Sequence, residues 1–201
     1  MVGWLSGRRR DTSARGRVAR AMEVVPRVDF LPPEARDQAH EDVPLRIGHG
    51  ATNSQPSTVA AMLELLDACP GHRVLDVGAG SGWTTALLAH LVGGEGSVLG
   101  VELVPELAAD AQDRVSRSRM PQARVVPAVT GVLGWPTEGP YDRILVSAMA
   151  ETTPTELVDQ LADDGARMVA PVDGRMLVVD RDGGRTRRWE APGYYRFVPL
   201  R

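Results

Sequence analysis

The glycine-rich stretch VLDVGAGSGWTTALLAHL, residues 74–91, constrains the fold more than any other part of this chain. Its first residues are β-type and apolar, and residues 84–91 are mostly helix formers. Three glycines separate the two runs: Gly78, Gly80 and Gly82. Because glycine carries no Cβ atom, the pattern predicts a strand, a tight turn and a helix whose N-terminus faces a bare crevice.

The chain beyond this stretch alternates between the two kinds of periodicity. It predicts strands at 73–77, 97–101, 124–128, 141–146 and 167–170, and helices at 84–91, 105–117 and 154–161. Such alternation favours an α/β fold with a doubly wound, mostly parallel sheet that carries helices on both faces. The run RMLVVDRDGGRTRRWEA then contains two β-type segments around Asp182-Gly183-Gly184, which predicts a C-terminal antiparallel hairpin.

The N-terminal third has a different character. Residues 1–17 include the basic run RRRDTSARGR and are expected to form a solvated, partly disordered leader before a single domain at 18–201. Residues 18–25 have amphipathic helical spacing, which Pro26 ends. The proline- and glycine-punctuated segment that follows predicts a long loop, and loops of that length in compact domains are usually functional. A further apolar helix is predicted from Pro56 to Cys69.

Composition excludes several classes of protein. A net charge of −3 over 201 residues gives no general electrostatic case for nucleic acid. No apolar segment approaches the roughly 20 residues of a membrane span, so we expect a cytoplasmic protein. The single Cys69 excludes an internal disulfide and is expected to be a buried structural thiol. The four histidines lack metal-ligand spacing, so no metal site is expected. The sequence does not set the oligomeric state, although a monomer is favoured.

Two acidic residues accompany the glycines. Asp76 lies at the end of the first strand, within a D-x-G-x-G-x-G pattern, and Glu102 ends the next β-type run. An acid in that second position can accept hydrogen bonds from both hydroxyls of a ribose. The combination resembles the S-adenosylmethionine (SAM) site of class I methyltransferases. A NAD-type site and a glycine turn that only packs are the alternatives.

Several further motifs resemble the protein-L-isoaspartate O-methyltransferase family. They are VPRVDFLP (25–32), PLRIGHGATNSQP (44–56), the glycine stretch, GWP (134–136), YDRILVSA (141–148) and the terminal RFVPL. From the first to the last, they span nearly the whole chain after the leader. The T-x-S-Q-P element within the second motif is far more specific than the glycine turn, because few other methyltransferases carry it.

The resemblance implies a set of site residues. Ser54 matches the active-site serine of the family and would orient the acceptor. The implied cofactor contacts are Ala51, Thr52, Asn53, Ser54, Asp76, Gly78, Ala79, Gly80, Gly82, Glu102, Leu103, Thr130 and Gly131. Considered by its spacing alone, Ser54 is a candidate cap for the helix that begins near Pro56.

Two positions depart from the family pattern. Thr130 stands where the family has an acidic residue near the adenine amino group, so a hydrogen-bond acceptor remains but its charge is lost. The segment after residue 146 is Ser-Ala-Met-Ala rather than containing Ala-Ala-Pro, and Met149 therefore alters a loop on the ligand side of the sheet. The second departure bears on which acceptor the protein takes.

The resemblance implies a carboxyl O-methyltransferase that uses SAM, releases S-adenosyl-L-homocysteine and acts on L-isoaspartyl residues of damaged proteins or peptides. A carboxylate with a pKa near 4 is ionised at pH 7, so the reaction needs no general base before the carboxylate attacks the methyl group. The alternatives are a related enzyme that tailors a specialised, ribosomally made peptide, and a SAM-binding adaptor without catalysis. In the two enzyme cases the partner is a peptide or protein bearing a carboxylate.

Overall fold

The computed structural model describes residues 11–201. Its α-helices are α1 (Ala14–Val24), α2 (Pro56–Leu66), α3 (Trp83–Val92), α4 (Pro105–Arg117) and α5 (Thr155–Val158). Its strands are β1 (Leu45–Gly48), β2 (Ala51–Asn53), β3 (Arg73–Val77), β4 (Ser97–Glu102), β5 (Ala123–Pro127), β6 (Arg143–Val146), β7 (Ala166–Val172), β8 (Arg175–Asp182) and β9 (Arg185–Ala191). None of the helices in this range is both long enough and apolar enough to cross a membrane.

Seven of the strands form one sheet in the order β5-β4-β3-β6-β7-β8-β9. The strands from β5 to β7 pair in parallel, whereas β8 and β9 are antiparallel. This topology confirms the predicted doubly wound sheet and its C-terminal hairpin. The chain moves outward from β3 to β5 in one direction and from β6 to β9 in the other. The resulting switch point, between the carboxyl ends of β3 and β6, is where such sheets bind ligands.

The two faces of the sheet are covered unequally. Helices α1 to α4 all contribute apolar residues to the core on one face. On the other face, among the described residues, only α5 contributes helical residues, and loop residues such as Trp135 complete the cover. The helix predicted at 154–161 is shorter in the structure, where α5 ends at Val158. Leu161 instead forms a parallel bridge with Tyr141, so the chain has left the helical path by that residue.

Helix α1 begins four residues earlier than the sequence pattern predicts, within the expected leader. The Ser13 hydroxyl accepts a hydrogen bond of 3.1 Å from the Gly16 N–H, which caps the helix. Arg17 then pairs with Asp67 at 2.5 Å and so ties the first turn to the end of α2. The remainder of the predicted leader, residues 1–10, lies outside the described residues.

The segment predicted as a loop contains regular structure. Two short 3₁₀ helices, Arg27–Phe30 and Pro33–Gln38, precede an antiparallel hairpin formed by β1 and β2. The hairpin lies against the glycine-rich turn, since a Cβ atom on Gly80 would be 3.4 Å from Ile47 Cδ1. Composition missed these short elements because their turns use the same glycines and prolines that mark loops.

Helix α2 ends at Leu66, three residues before the predicted limit. Its last turn closes on Asp67, which adopts the left-handed conformation at φ 52°. Cys69 consequently lies beyond the helix and is half-buried rather than buried. Its sulfur is 3.5 Å from Arg17 Nη2, so the thiol borders the same polar contact that holds α1.

Candidate active site

The turn between β3 and α3 requires glycine for steric reasons. Gly78, Gly80 and Gly82 have φ values of 80°, 55° and 86°, in a region that other residues rarely adopt. At Gly82 a Cβ atom would also lie 3.0 Å from Val115 Cγ2 and 3.1 Å from the carbonyl oxygen of Ala111. The glycines therefore let α3 approach α4 while the backbone of the turn stays open toward the switch point.

Asp76 is completely buried beneath this turn. Its Oδ2 atom accepts hydrogen bonds of 2.7 Å from the hydroxyls of Thr84 and Thr85. Its Oδ1 atom has no hydrogen-bond partner within the described part of the chain. Burial raises the pKa of Asp76 to about 6, the two hydroxyl donors oppose that rise, and the charge of Glu102 adds to it. Within the described residues, the Oδ1 oxygen is an unused acceptor beneath the turn.

Glu102 occupies the carboxyl end of β4, next to the turn. One carboxylate oxygen accepts a hydrogen bond of 2.8 Å from the Gly80 N–H, and the other accepts one of 3.0 Å from the Val104 N–H. The side chain is only 8% exposed. Because a carboxylate has about four acceptor positions, two amides leave capacity for a pair of hydroxyl groups.

One side of the crevice is built by the end of the hairpin. Asn53 is buried, and its Nδ2 atom donates a hydrogen bond of 2.9 Å to Ser81 Oγ on the glycine-rich turn. Ser54 follows directly and is half-buried. The contact brings the T-x-S-Q-P element and the glycine-rich turn to the same place, although they are far apart along the chain.

The cap of α2 is not Ser54. The N-cap position is Gln55, which makes no capping bond with its side chain. Asp42 instead accepts hydrogen bonds of 2.8 Å from both the N–H and the hydroxyl of Ser57, in the first turn. Among the described residues, no hydrogen bond ties the Ser54 side chain to this turn. The structure therefore argues against the capping alternative for Ser54.

The residues that line the crevice come from four segments of the chain. They are Thr52, Asn53, Ser54, Val59, Gly78, Ala79, Gly80, Ser81, Trp83, Thr84 and Ser147. Six of them belong to the predicted set: Thr52, Asn53, Ser54, Gly78, Ala79 and Gly80. Of the other predicted residues, Asp76 is buried beneath the turn, Gly82 ends the turn at the start of α3, and Ala51 belongs to β2.

Three predicted residues lie farther out along the same edge of the sheet. Leu103 follows Glu102 and is 48% exposed. Thr130 and Gly131 are exposed in the loop after β5, which is anchored where the Ala128 N–H donates to the Glu102 carbonyl oxygen at 2.8 Å. None of the three is among the residues that line the crevice.

Three hydroxyl residues of the crevice, Ser81, Thr84 and Ser147, are absent from the predicted set; Thr84 binds the buried Asp76. Ser81 holds Asn53, as described above. Ser147 directly follows β6, and its buried Oγ atom has no hydrogen-bond partner in residues 11–201. A polar residue immediately after a buried parallel strand is the signal that could have identified Ser147, because the carboxyl ends of parallel strands border the ligand site.

A parallel sheet with this switch point, a glycine-rich turn after its first strand and an acid at the end of the next strand form a nucleotide-type site, and the comparison with a solved structure identifies the class as the SAM-dependent, class I methyltransferases. A *Plasmodium falciparum* protein-L-isoaspartate O-methyltransferase, solved in complex with S-adenosyl-L-homocysteine, superposes with a TM-score of 0.78 at 26% identity. The alignment covers 92% of this chain and 90% of that one.

The chain belongs to the protein-L-isoaspartate(D-aspartate) O-methyltransferase family, whose family model matches residues 6–201. A protein-L-isoaspartate O-methyltransferase of *Methanopyrus kandleri* is 46% identical over 92% of this chain and 83% of its own length. Another, from *Aeropyrum pernix*, is 50% identical over 78% of this chain and 60% of its own length. The chain is accordingly a methyltransferase enzyme rather than an adaptor.

Proposed function

We propose that this enzyme transfers the methyl group of SAM to the free carboxylate of L-isoaspartyl residues in proteins or peptides, as a step in the repair of damaged proteins. The observation that carries the proposal is the contact between the Ser54 segment and the glycine-rich turn, made through Asn53 and Ser81. It brings a family-specific acceptor element against a cofactor turn without a histidine, cysteine or lysine among the crevice-lining residues.

The hydrogen-bond acceptors of the crevice fit SAM. The free Oδ1 atom of Asp76 would accept a hydrogen bond from the ammonium group of the cofactor, and the bare turn at Gly78 and Gly80 would let its chain approach the backbone. Glu102 would hold the ribose hydroxyls. Ala79, Leu103, Thr130 and Gly131 would border the nucleoside, and Ala51 and Thr52 would support the methionine side.

When it is bound, SAM supplies a methyl group activated by a positively charged sulfur. The acceptor carboxylate is already ionised at neutral pH, so the protein has no proton to remove. The remaining requirements are to align the attacking oxygen with the methyl carbon and to exclude water from the carboxylate. The Ser54 hydroxyl would meet the first requirement by donating a hydrogen bond to the acceptor, while the hairpin covers the turn.

Replacing Ser54 by alanine is expected to slow methylation about ten- to a hundredfold, the usual value of one hydrogen bond to a charged group. SAM affinity should change by no more than a few-fold, because the proposed anchors of the cofactor lie elsewhere. Turnover with an isoaspartyl peptide and calorimetric titration with SAM measure the two effects.

The matched control is Ser57→Ala, which removes a neighbouring hydroxyl that binds only Asp42 at the start of α2. It should leave turnover within about twofold while loosening the same helix end. Equal turnover by Ser54→Ala and the unmodified enzyme would refute the proposed role of Ser54 in orienting the acceptor.

The product should be a methyl ester. Esters hydrolyse in mild base, whereas N-methyl and aliphatic ether products do not, and amine or alcohol acceptors would first have to lose a proton of high pKa. We expect label from SAM to be released as volatile methanol after brief alkali treatment of an isoaspartyl peptide. The aspartyl twin of that peptide should take up no label.

Base-stable label would refute carboxyl chemistry. Base-labile label on a dedicated peptide, with none on isoaspartyl substrates, would favour the peptide-tailoring alternative. One observation keeps that alternative open: the loop at Met149 is fixed to the C-terminal segment by reciprocal bonds of 2.7 Å, from its N–H to the Val198 carbonyl and from the Leu200 N–H to its own carbonyl. The altered loop is therefore held in place two residues after Ser147, which lines the crevice.

A further inference from the structure

Arg27 is a buried cation placed behind the acceptor segment. It is only 5% exposed. Its Nε donates to Asn53 Oδ1 at 2.7 Å, and Nη1 donates to the Glu41 carbonyl at 3.0 Å. Its Nη2 is shared among the carbonyls of Val43, Asn53 and Ser54, at 2.8, 3.1 and 3.0 Å. Within the described residues its acceptors are thus one side-chain amide and four carbonyls, and no carboxylate.

The same guanidinium also contacts the cofactor side. It lies 5.7 Å from the centre of the Trp83 ring, at the start of α3. The amide that accepts from Nε donates in turn to Ser81 on the glycine-rich turn. Arg27 therefore stands between the two halves of the crevice and fixes the distance from the Ser54 backbone to the turn.

A buried cation without a carboxylate is costly, because desolvation is repaid only by well-formed hydrogen bonds. Burial accordingly lowers the pKa of Arg27. A planar guanidinium is the only side chain that can donate to this many acceptors at fixed angles, whereas a lysine ammonium is a point charge. The cost is explicable if the geometry of the carbonyls that it holds matters to the enzyme.

We infer that Arg27 is a positioning residue for methyl transfer. It holds the Asn53–Ser54 backbone at a fixed distance from the glycine-rich turn, so that an acceptor bound at Ser54 lies within reach of the methyl group. The inference rests on the proposed function, since it assigns the acceptor to the Ser54 segment. Arg27 acts through that segment and does not itself contact the cofactor or the acceptor.

The contacts also have an electrostatic consequence. A guanidinium bound to the carbonyls of Asn53 and Ser54 polarises the two peptide groups, and hydrogen bonds in such chains strengthen one another. The N–H groups of those peptides belong to Ser54 and Gln55. They become better donors toward an anionic acceptor, and the positive charge of Arg27 behind them, partly offset by the nearby Asp42, favours the same ligand.

The principal test is Arg27→Lys, which keeps the positive charge but loses the planar guanidinium that donates to several acceptors at once. We expect the turnover number with an isoaspartyl peptide to fall about a hundredfold, the usual cost of a displacement of about 1 Å between reacting groups. SAM affinity should stay within about threefold, because the proposed cofactor anchors do not touch Arg27. A purely structural arginine would instead reduce the folded fraction and leave the turnover of the folded molecules unchanged.

Arg143→Lys is the matched control. Arg143 is a partly buried arginine that likewise donates to carbonyls, those of Asp67, Asp142 and Gly165, but it lies at the amino end of β6, the end opposite the crevice. It should lower the unfolding midpoint in urea about as much as Arg27→Lys does and leave turnover unchanged. A parallel loss of turnover in both variants would overturn the inference.

Chemical rescue supplies a readout that stability cannot mimic. Arg27→Ala leaves a cavity of guanidinium shape, so millimolar guanidinium chloride should raise its turnover severalfold, and equal concentrations of sodium chloride should not. Should either arginine variant fail to fold, Ser81→Ala removes only the link to Asn53 and should lower turnover about tenfold.

Three outcomes distinguish the positioning role of Arg27 from the proposed function. Unchanged turnover in folded Arg27→Lys or Ser81→Ala, with an active unmodified enzyme, overturns the positioning role alone. Failure of guanidinium to rescue folded Arg27→Ala overturns it as well. An unmodified enzyme that transfers no methyl group to isoaspartyl peptides overturns the proposed function, and the inference falls with it.

Discussion

Asp76→Asn is expected to make the protein more stable at neutral pH in the absence of SAM. Burial raises the pKa of Asp76 from its ordinary value of 3.8 to about 6, so the folded state prefers the protonated side chain. Above the unfolded pKa, ionisation therefore favours unfolding, and the stability contributed by Asp76 falls as the pH rises from about 4 to about 6. A difference of about two pKa units corresponds to about 3 kcal/mol, which an uncharged asparagine does not lose.

The measurement is urea unfolding of both proteins between pH 5 and pH 8. The gain of Asp76→Asn over the unmodified enzyme should increase up to about pH 6 and stay constant above it. Asp37→Asn, at an exposed position, is the matched control and should show no such increase. A pH-independent difference between the Asp76 variant and the unmodified enzyme would mean that the buried carboxyl does not titrate in this range.

The same substitution should weaken SAM binding about ten- to a hundredfold, because asparagine offers no charge to the ammonium group. For the unmodified enzyme, affinity should decline as the pH falls below about 6, where Asp76 takes up a proton. The buried charge of Asp76 would thus lower the stability of the folded enzyme and strengthen SAM binding, a common combination at active sites. Unchanged affinity in the folded variant would exclude Asp76 from the SAM site.

Glu102→Ala should have the second large effect, on affinity and on stability together. Loss of the charge-assisted bonds to the ribose is expected to weaken SAM binding by roughly 1.5–3 kcal/mol, or about ten- to a hundredfold. The variant also leaves the N–H groups of Gly80 and Val104 without their acceptor, which costs about 1–3 kcal/mol for each group that stays buried.

Calorimetric titration with SAM and urea unfolding measure these two effects separately. Glu95→Ala is the matched control, because Glu95 is exposed in the turn before β4 and should change neither quantity. Unchanged SAM affinity in folded Glu102→Ala would remove Glu102 from the ribose site. Tight binding of NAD instead of SAM would contradict the cofactor assignment as a whole.

Much of the fold could be predicted because its signals are local. The predicted bounds of the strand at 73–77 and of the helix at 105–117 match the structure to the residue. Both elements depend on the periodicity of neighbouring side chains, and the helix also begins at a proline. The helix at 154–161 was too long, because Leu161 pairs with Tyr141, a contact that no local pattern records. The hairpin at residues 45–53 was not predicted, because its strands are short and its turn residues are those that also mark loops.

The candidate site divides in the same way. By itself the sequence determined the glycine-rich turn, the acids that border it and the T-x-S-Q-P element, because fixed spacing within a short segment imposes those features. The tertiary structure alone decided that Asp42 caps α2, that Arg27 holds the backbone of Ser54, and that Ser147 faces the crevice. Asp42 and Ser57 are 15 positions apart, and Arg27 and Ser54 are 27 positions apart. The geometry of such contacts depends on the path of the chain between the two residues. Hydrophobic periodicity specifies which face of an element is buried, but not which distant polar group it will meet there.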